Sequence, residues 1–275
     1  VSEQLLSVKD LKTWFDTPKG PAHAVDGVDF ELHRGETFAL LGESGCGKSM
    51  TALSIMRLLP PAGRIAAGEV WLGDRDLLGL PESAMRRVRG RRIAMIFQEP
   101  QSSLNPVMTV AEQVGEALRR HHGLHGHAGR ERTRELLDAV GIPDPARRLD
   151  EYPHQLSGGM KQRVMIAIAL AGEPDVLIAD EPTTALDVTI QAQVLELLKG
   201  LQARMGMAIL LITHDLGVVA QTADRVAVMY AGQIVEQAAA AAYFASPAHP
   251  YSRKLFASLP TVEKREQQLE VIRGS

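Results

Sequence analysis

Gly42-Glu43-Ser44-Gly45-Cys46-Gly47-Lys48-Ser49 decides how this chain folds. Directly before it stands Thr37-Phe38-Ala39-Leu40-Leu41, a short apolar run of the kind that fills a strand buried on both faces of a parallel sheet. Directly after it a helical pattern runs from Lys48 to about Leu59, where Pro60-Pro61 stops it. The local reading is strand, glycine-rich turn, helix.

That context turns Gly42-x4-Gly47-Lys48-Ser49 into a phosphate cradle of the P-loop type. The glycines let the backbone curl so that successive N–H groups face phosphate oxygens, and the helix N-terminus adds partial positive charge. Glu43, Ser44, Gly45, Cys46 and Met50 then offer backbone N–H groups. Lys48 is expected to reach the β- and γ-phosphates of ATP, and the Ser49 hydroxyl to ligate Mg²⁺. Cys46 has two readings, a reactive thiol beside a helix N-terminus or a small residue offering only its backbone.

The bulk numbers narrow the class. The 275 residues suit one large domain or two small ones, and the 45% hydrophobic content supports a sizeable core. A net charge of -3 gives no chain-wide basic footprint for nucleic acid. One cysteine excludes an internal disulfide and fits a reducing compartment. Val1-Ser2-Glu3-Gln4 lacks the layout of a signal peptide, and no apolar run reaches the roughly 18 residues of a membrane span. A soluble chain is expected, with any membrane role passing through a partner.

Around the cradle, Val25 to Leu32 alternates apolar and polar residues as a half-buried strand does. Ile93-Ala94-Met95-Ile96-Phe97, Val176-Leu177-Ile178-Ala179 and Ala208-Ile209-Leu210-Leu211-Ile212 read as buried strands, with a helix over Ile190 to Met205. Residues 100 to 163 change character, with Pro-containing joints and a helical pattern over Glu131 to Val140. They are expected to form a helical subdomain inserted into an α/β ATP-binding core of residues 1–99 and 164–235. Residues 236–275 are left as a C-terminal extension with little to read.

Four side chains at strand ends carry the expected chemistry. Asp180 ends an apolar strand beside the cradle and can hold Mg²⁺ through water. Glu181 points differently and can orient or deprotonate the attacking water. His214 ends the neighbouring strand, at the carboxyl edge where open α/β sheets bind ligands, and can contact the γ-phosphate and fix the water. Gln98 can complete the Mg²⁺ shell or touch the water, and stands where the core hands over to the insert.

Leu156-Ser157-Gly158-Gly159-Met160-Lys161-Gln162, with these residues, resembles the signature of the ATP-binding subunit of ATP-binding-cassette (ABC) transporters. The resemblance implies an α/β P-loop NTPase core of RecA-like type, an N-terminal antiparallel β subdomain and an inserted α-helical signature subdomain. It implies that Ser157, Gly158, Gly159 and Gln162 bind ATP held by an opposing cassette, either a second copy or a relative. Phe15 resembles the aromatic that stacks on adenine, with Trp14 as its rival. Ala185-Leu186-Asp187 resembles the loop that passes Asp187 across the dimer interface.

Glu99-Pro100, Ser103-Leu104-Asn105-Pro106, Tyr152-Pro153-His154-Gln155 and Ser246-Pro247-Ala248-His249-Pro250-Tyr251 resemble the dipeptide and oligopeptide importer branch. That branch also serves nickel, glutathione and peptide antibiotics. The implied partners are two integral membrane permease subunits and an upstream solute-binding protein, with this chain peripheral on the cytoplasmic face of the inner membrane. Branch members often continue into a cysteine-containing C-terminal region, so a shortened chain or one half of a two-cassette chain is a further expectation. The alternatives are a soluble non-transport ABC ATPase and an exporter subunit. Arg86-Arg87-Val88-Arg89-Gly90-Arg91-Arg92 is read as a solvated face rather than a lipid contact, and His121, His122, His125 and His127 as unlinked to metal.

Overall fold

The computed structural model describes residues 3–99, 103–184 and 186–257. One sheet holds β3 (Thr37–Leu41), β6 (Ile93–Ile96), β7 (Val176–Asp180), β8 (Ala208–Thr213) and β9 (Arg225–Tyr230), parallel in the order β9-β3-β8-β7-β6. β10 (Gln233–Ala239) adds antiparallel to β9. Every residue of β3, β7 and β8 is buried, because both faces of this sheet are covered.

The second sheet is antiparallel, in the order β2-β1-β4-β5, from β1 (Gln4–Thr17), β2 (Gly20–His33), β4 (Gly63–Leu72) and β5 (Arg75–Asp76). Its apolar face packs toward β3. Phe30 of β2 stacks on Phe38 of β3 at 5.2 Å between ring centroids, with Leu6, Leu32, Leu40 and Ile55 in the same core. α1 (Lys48–Met56) lies in this layer, and its Ser54 hydroxyl meets the Thr13 hydroxyl of β1 at 2.6 Å.

Two elements differ from expectation here. α1 ends at Met56 rather than near Leu59. Arg57 turns left-handed at φ 52°, its N–H bonds back to Leu53 and Ser54, and its guanidinium donates to the Leu77 and Leu80 carbonyls. That anchor outweighs the continuing apolar pattern. β4 was not anticipated, because its alternation breaks at Gly68. There φ is 107° and a Cβ would lie 2.6 Å from the Asp10 carbonyl oxygen, a close approach of backbones that a side chain would block.

The insert is helical, as expected. It contains α3 (Val110–His122), α4 (Gly126–Ala139), α5 (Pro145–Arg148), a 3-10 turn at Pro153–Gln155 and the start of α6 (Gly158–Leu170). Thr109 and Glu112 close a reciprocal capping box on α3. Val114, Leu118, Leu137, Val140 and Val164 share one core with Ala94, Ile96, Leu177 and Ala179 of the sheet. α6 belongs to both, since it leaves the insert and lands on β6.

α2 (Glu82–Val88) leads into the basic run, where Arg86, Arg87 and Arg91 are exposed, as expected of a solvated face, while several of the guanidiniums also make structural bonds. Arg89 donates to the Met56 and Arg57 carbonyls and pairs with Glu82 at 2.6 Å; Arg91 donates to the Gly172 carbonyl; Arg92 pairs with Asp175. These three guanidiniums tie α1, α2, β6 and the end of α6 together.

α7 (Val188–Met205) covers the sheet and α8 (Leu216–Thr222) follows β8. The tail is far from unreadable in space. α9 (Ala240–Ala245) and α10 (Pro250–Ala257) place Tyr243 and Tyr251 in a third core with Ala39, Leu41, Val226 and Val228. No helix among the described residues is long and apolar enough to cross a membrane.

Candidate functional site

The loop from Gly42 to Gly47 connects β3 to α1 and is held on two sides. A Cβ on Gly42 would stand 2.3 Å from the Met229 carbonyl oxygen of β9, and one on Gly47 2.3 Å from that of Ala24 in β2. Gly47 also has φ 111°, a conformation that glycine adopts at low cost. Only a chain without side chains at both positions fits between the two strands. The Gly232 N–H donates to the Cys46 carbonyl at 2.9 Å and fixes the loop from the β9–β10 turn.

Lys48 is 5% exposed, and its ammonium donates to the Gly42 carbonyl at 2.6 Å and the Glu43 carbonyl at 2.8 Å. The cation is thus folded across its own loop. Cys46 is buried in the core between the sheets, and burial pushes its thiol up despite nearby Lys48. The backbone reading of Cys46 fits this setting and the reactive-thiol reading does not.

β3, β7 and β8 are neighbours, so their carboxyl ends meet. The Ser49 hydroxyl donates to Asp180 Oδ1 at 3.1 Å. Burial pushes the Asp180 carboxyl up to about 6; Ser49 pulls it down, Glu181 pushes it up and Lys48 pulls it down. A buried carboxylate beside a hydroxyl oxygen is a hard oxygen pair that suits Mg²⁺. Among the described residues no three His, Cys, Asp or Glu side chains gather to hold a metal. A cation at Ser49 and Asp180 would therefore draw its other ligands from phosphate and water, as Mg²⁺ commonly does.

Glu181 follows Asp180 but leaves the strand. Its φ is 47°, a costly left-handed turn for a residue with a side chain, and its N–H is tied to the Ile212 carbonyl of β8 at 2.9 Å. The turn sends its carboxylate to three donors: Thr184 Oγ1 at 2.8 Å, Gln98 Nε2 at 2.9 Å and His214 Nδ1 at 3.1 Å. Burial alone raises its pKa, but the bonds from Thr184 and His214 outweigh it and leave it lowered. The group is an ionised carboxylate whose orientation is fixed from three elements, which is what a residue aligning or deprotonating water requires. Thr184 was not anticipated, although a hydroxyl three residues past an acidic strand end is a readable signal.

Other expected residues lie elsewhere. Phe15 is half-buried against Gly63 and shares a face of β1 with Thr13, which meets α1. Trp14 points the other way, stacked on His23 at 4.5 Å and capped by the Arg64 guanidinium at 5.2 Å. Ser157 caps α6, accepting the Met160 N–H at 3.3 Å, and is exposed with Gly158. Gln162 is instead 2% exposed inside α6. Gly159 packs toward Ile190, whose N–H is capped by exposed Asp187 at 3.0 Å, so the Ser157 loop and Asp187 are close neighbours. Among the described residues no hydrogen bond or ion pair joins Ser157–Gln162 to Gly42–Ser49. Ala185 and Pro100 lie outside the described residues, as does everything after residue 257. His121 abuts Gly90, and His122 stands 3.2 Å from Arg91 Nη1.

The ABC transporter family model matches residues 25–184, and that of the oligopeptide/dipeptide transporter C-terminal region matches residues 235–275. The dipeptide transport ATP-binding protein DppD of Bacillus subtilis is 53% identical over 274 residues, covering 99% of this chain and 82% of that protein. The oligopeptide transport ATP-binding protein OppD of the same organism is also 53% identical, over 99% of this chain and 76% of its own length. In structure, the ATP-binding cassette MJ0796, a dimer in a post-hydrolysis state with ADP and Pi, has a TM-score of 0.77 and 28% identity, covering 86% of this chain and 99% of that one. The first match spans more than half of the sequence, and the relatives resemble it almost from end to end: the chain belongs to the ABC transporter family.

Proposed function

We infer that this chain is the ATP-hydrolysing subunit that powers import of dipeptides, oligopeptides or a related small solute. Its relatives are dipeptide and oligopeptide transport ATP-binding proteins, and the peptide-transporter C-terminal region matches residues 235–275. The observation that carries the chemistry is Glu181, held ionised by Thr184 and His214 and hydrogen-bonded by Gln98, one residue beyond buried Asp180.

In this reading the Gly42–Ser49 backbone binds the phosphates and Lys48 leaves the Gly42 and Glu43 carbonyls for the β- and γ-phosphates. Ser49 and Asp180 would hold Mg²⁺, with Gln98 at its edge. Mg²⁺, when bound, supplies charge neutralisation on the phosphate oxygens. Glu181 takes the proton from the attacking water while His214 keeps that carboxylate aimed. Phe15 supplies the face for adenine.

Exposed Ser157 and Gly158, at the N-terminus of α6, are donors without a phosphate of their own. They fit the ATP of a second cassette, a copy of this chain or a relative, with Asp187 at the same interface. Two permease subunits would receive the motion through the Gln98 region and the insert, and a solute-binding protein would deliver cargo to them. The chain would then sit on the cytoplasmic face of the inner membrane.

A strain lacking this gene tests the reading by uptake of labelled di- and tripeptides. Uptake should return with the wild-type chain and not with Glu181→Gln. Unchanged peptide uptake in the deletion strain, with loss of efflux instead, would favour an exporter.

A further inference from the structure

The C-terminal segment reaches back to the phosphate loop. Tyr251, 7% exposed at the start of α10, accepts the Glu43 N–H on its hydroxyl at 3.4 Å. Its ring packs on Tyr230, the last residue of β9, at 4.6 Å between centroids. The Glu43 peptide is therefore held at both ends: its N–H by Tyr251, its carbonyl by the Lys48 ammonium and, at 3.3 Å, the Cys46 N–H.

The segment carrying Tyr251 is itself anchored. Glu236 of β10 accepts the Ala248 N–H at 2.7 Å and the His249 N–H at 2.9 Å, one on each carboxylate oxygen. His249 Nδ1 then accepts the Tyr251 N–H at 3.2 Å. Ser246-Pro247-Ala248-His249-Pro250-Tyr251 is thus a joint that turns the chain from α9 into α10 and sets one hydroxyl on the loop. Pro250 fits the first position of a helix, where no N–H is needed.

We propose that Tyr251 is a positioning residue of the ATP site, and that the docked C-terminal segment sets ATP affinity by holding the Glu43 peptide from which Lys48 must depart. This rests on reading Gly42–Ser49 as the nucleotide loop. A loop ordered before binding loses less freedom when it binds. The effect belongs to affinity and not to the chemical step, because Tyr251 touches neither Glu181 nor Asp180 in any hydrogen bond.

The test is ATP affinity and steady-state turnover of the full chain carrying Tyr251→Phe, Glu236→Ala or both. Tyr251→Phe keeps the ring packing and removes only the hydroxyl. It should weaken ATP binding and raise KM by about three- to tenfold, the worth of one neutral hydrogen bond, while kcat stays within about twofold. Glu236→Ala, at a residue that hydrogen-bonds Ala248 and His249 and not the loop, should give the same split. The double variant should fall short of the product of the two, because both act through one joint. Lys48→Ala is run alongside. If Lys48→Ala loses ATP and both tail variants bind like wild type, the tail proposal is overturned and the nucleotide loop stands. If Lys48→Ala binds like wild type, both fall. A drop in kcat with unchanged KM in Tyr251→Phe also overturns the proposal.

Discussion

His214 Nδ1 stands 3.1 Å from Glu181 Oε1, joining the ends of β8 and β7 across the edge of the sheet. The bond depends on the left-handed turn at Glu181, which is fixed by its own N–H on Ile212. An ionised carboxylate accepts, so Nδ1 donates, from a side chain that is 57% exposed.

Removing that donor should cost turnover and not binding. A hydrogen bond to a charged group contributes about 1.5–3 kcal/mol, so His214→Ala is expected to lower kcat about tenfold to a hundredfold with ATP affinity little changed. Phosphate-release kinetics and ATP titration on the same sample check it. A parallel loss of affinity would show that His214 holds the bound nucleotide.

Gly47→Ala should be damaging twice over. The position has φ 111° and a Cβ would sit 2.3 Å from the Ala24 carbonyl oxygen, which is backbone and cannot swing away. We expect a loss of about 1–3 kcal/mol of stability and no measurable ATP binding. Urea unfolding with an ATP-binding assay reads both.

Ser49→Ala removes the hydroxyl on Asp180 and leaves the loop backbone intact. ATP affinity measured with Mg²⁺ should fall, while affinity measured in EDTA should match wild type in EDTA. Equal losses in both conditions would place Ser49 in loop structure alone.

Glu236 gives the fold a dependence on pH. Burial raises its carboxyl, but hydrogen bonds, those from the Ala248 and His249 N–H groups among them, outweigh it and hold the pKa below the usual 4.5. A lowered folded-state pKa means the ionised form stabilises the tail. That contribution is complete above the unfolded-state pKa and is lost as pH falls through the folded-state one. Thermal unfolding followed from about pH 6 to pH 3 should show Glu236→Gln losing less stability on acidification than wild type does. Parallel curves would contradict the assignment.

Much of this was legible in the residues because the signals were local. Uninterrupted apolar runs ending in Gly42, Asp180 and His214 gave buried parallel strands whose carboxyl ends converge, and the structure brings those ends together. The glycine-rich loop needed no tertiary knowledge either. What stayed hidden depends on contacts distant in sequence. Arg57 stops α1 through the carbonyls of Leu77 and Leu80. Gly68 interrupts β4 because β1 lies against it. Tyr251 acquires its role from Glu43, 208 residues earlier. The basic run could not be read as a structural joint, since its acceptors are the Met56, Arg57 and Gly172 carbonyls, which sequence does not display.

The central claim is that Glu181 carries the hydrolytic step of an ATP-binding subunit. It is tested by comparing wild type and Glu181→Gln for ATP affinity and phosphate release on matched preparations. An amide keeps the shape but accepts no proton from water, so release should fall by at least about a hundredfold while ATP affinity holds. Near-normal release from Glu181→Gln would contradict the account.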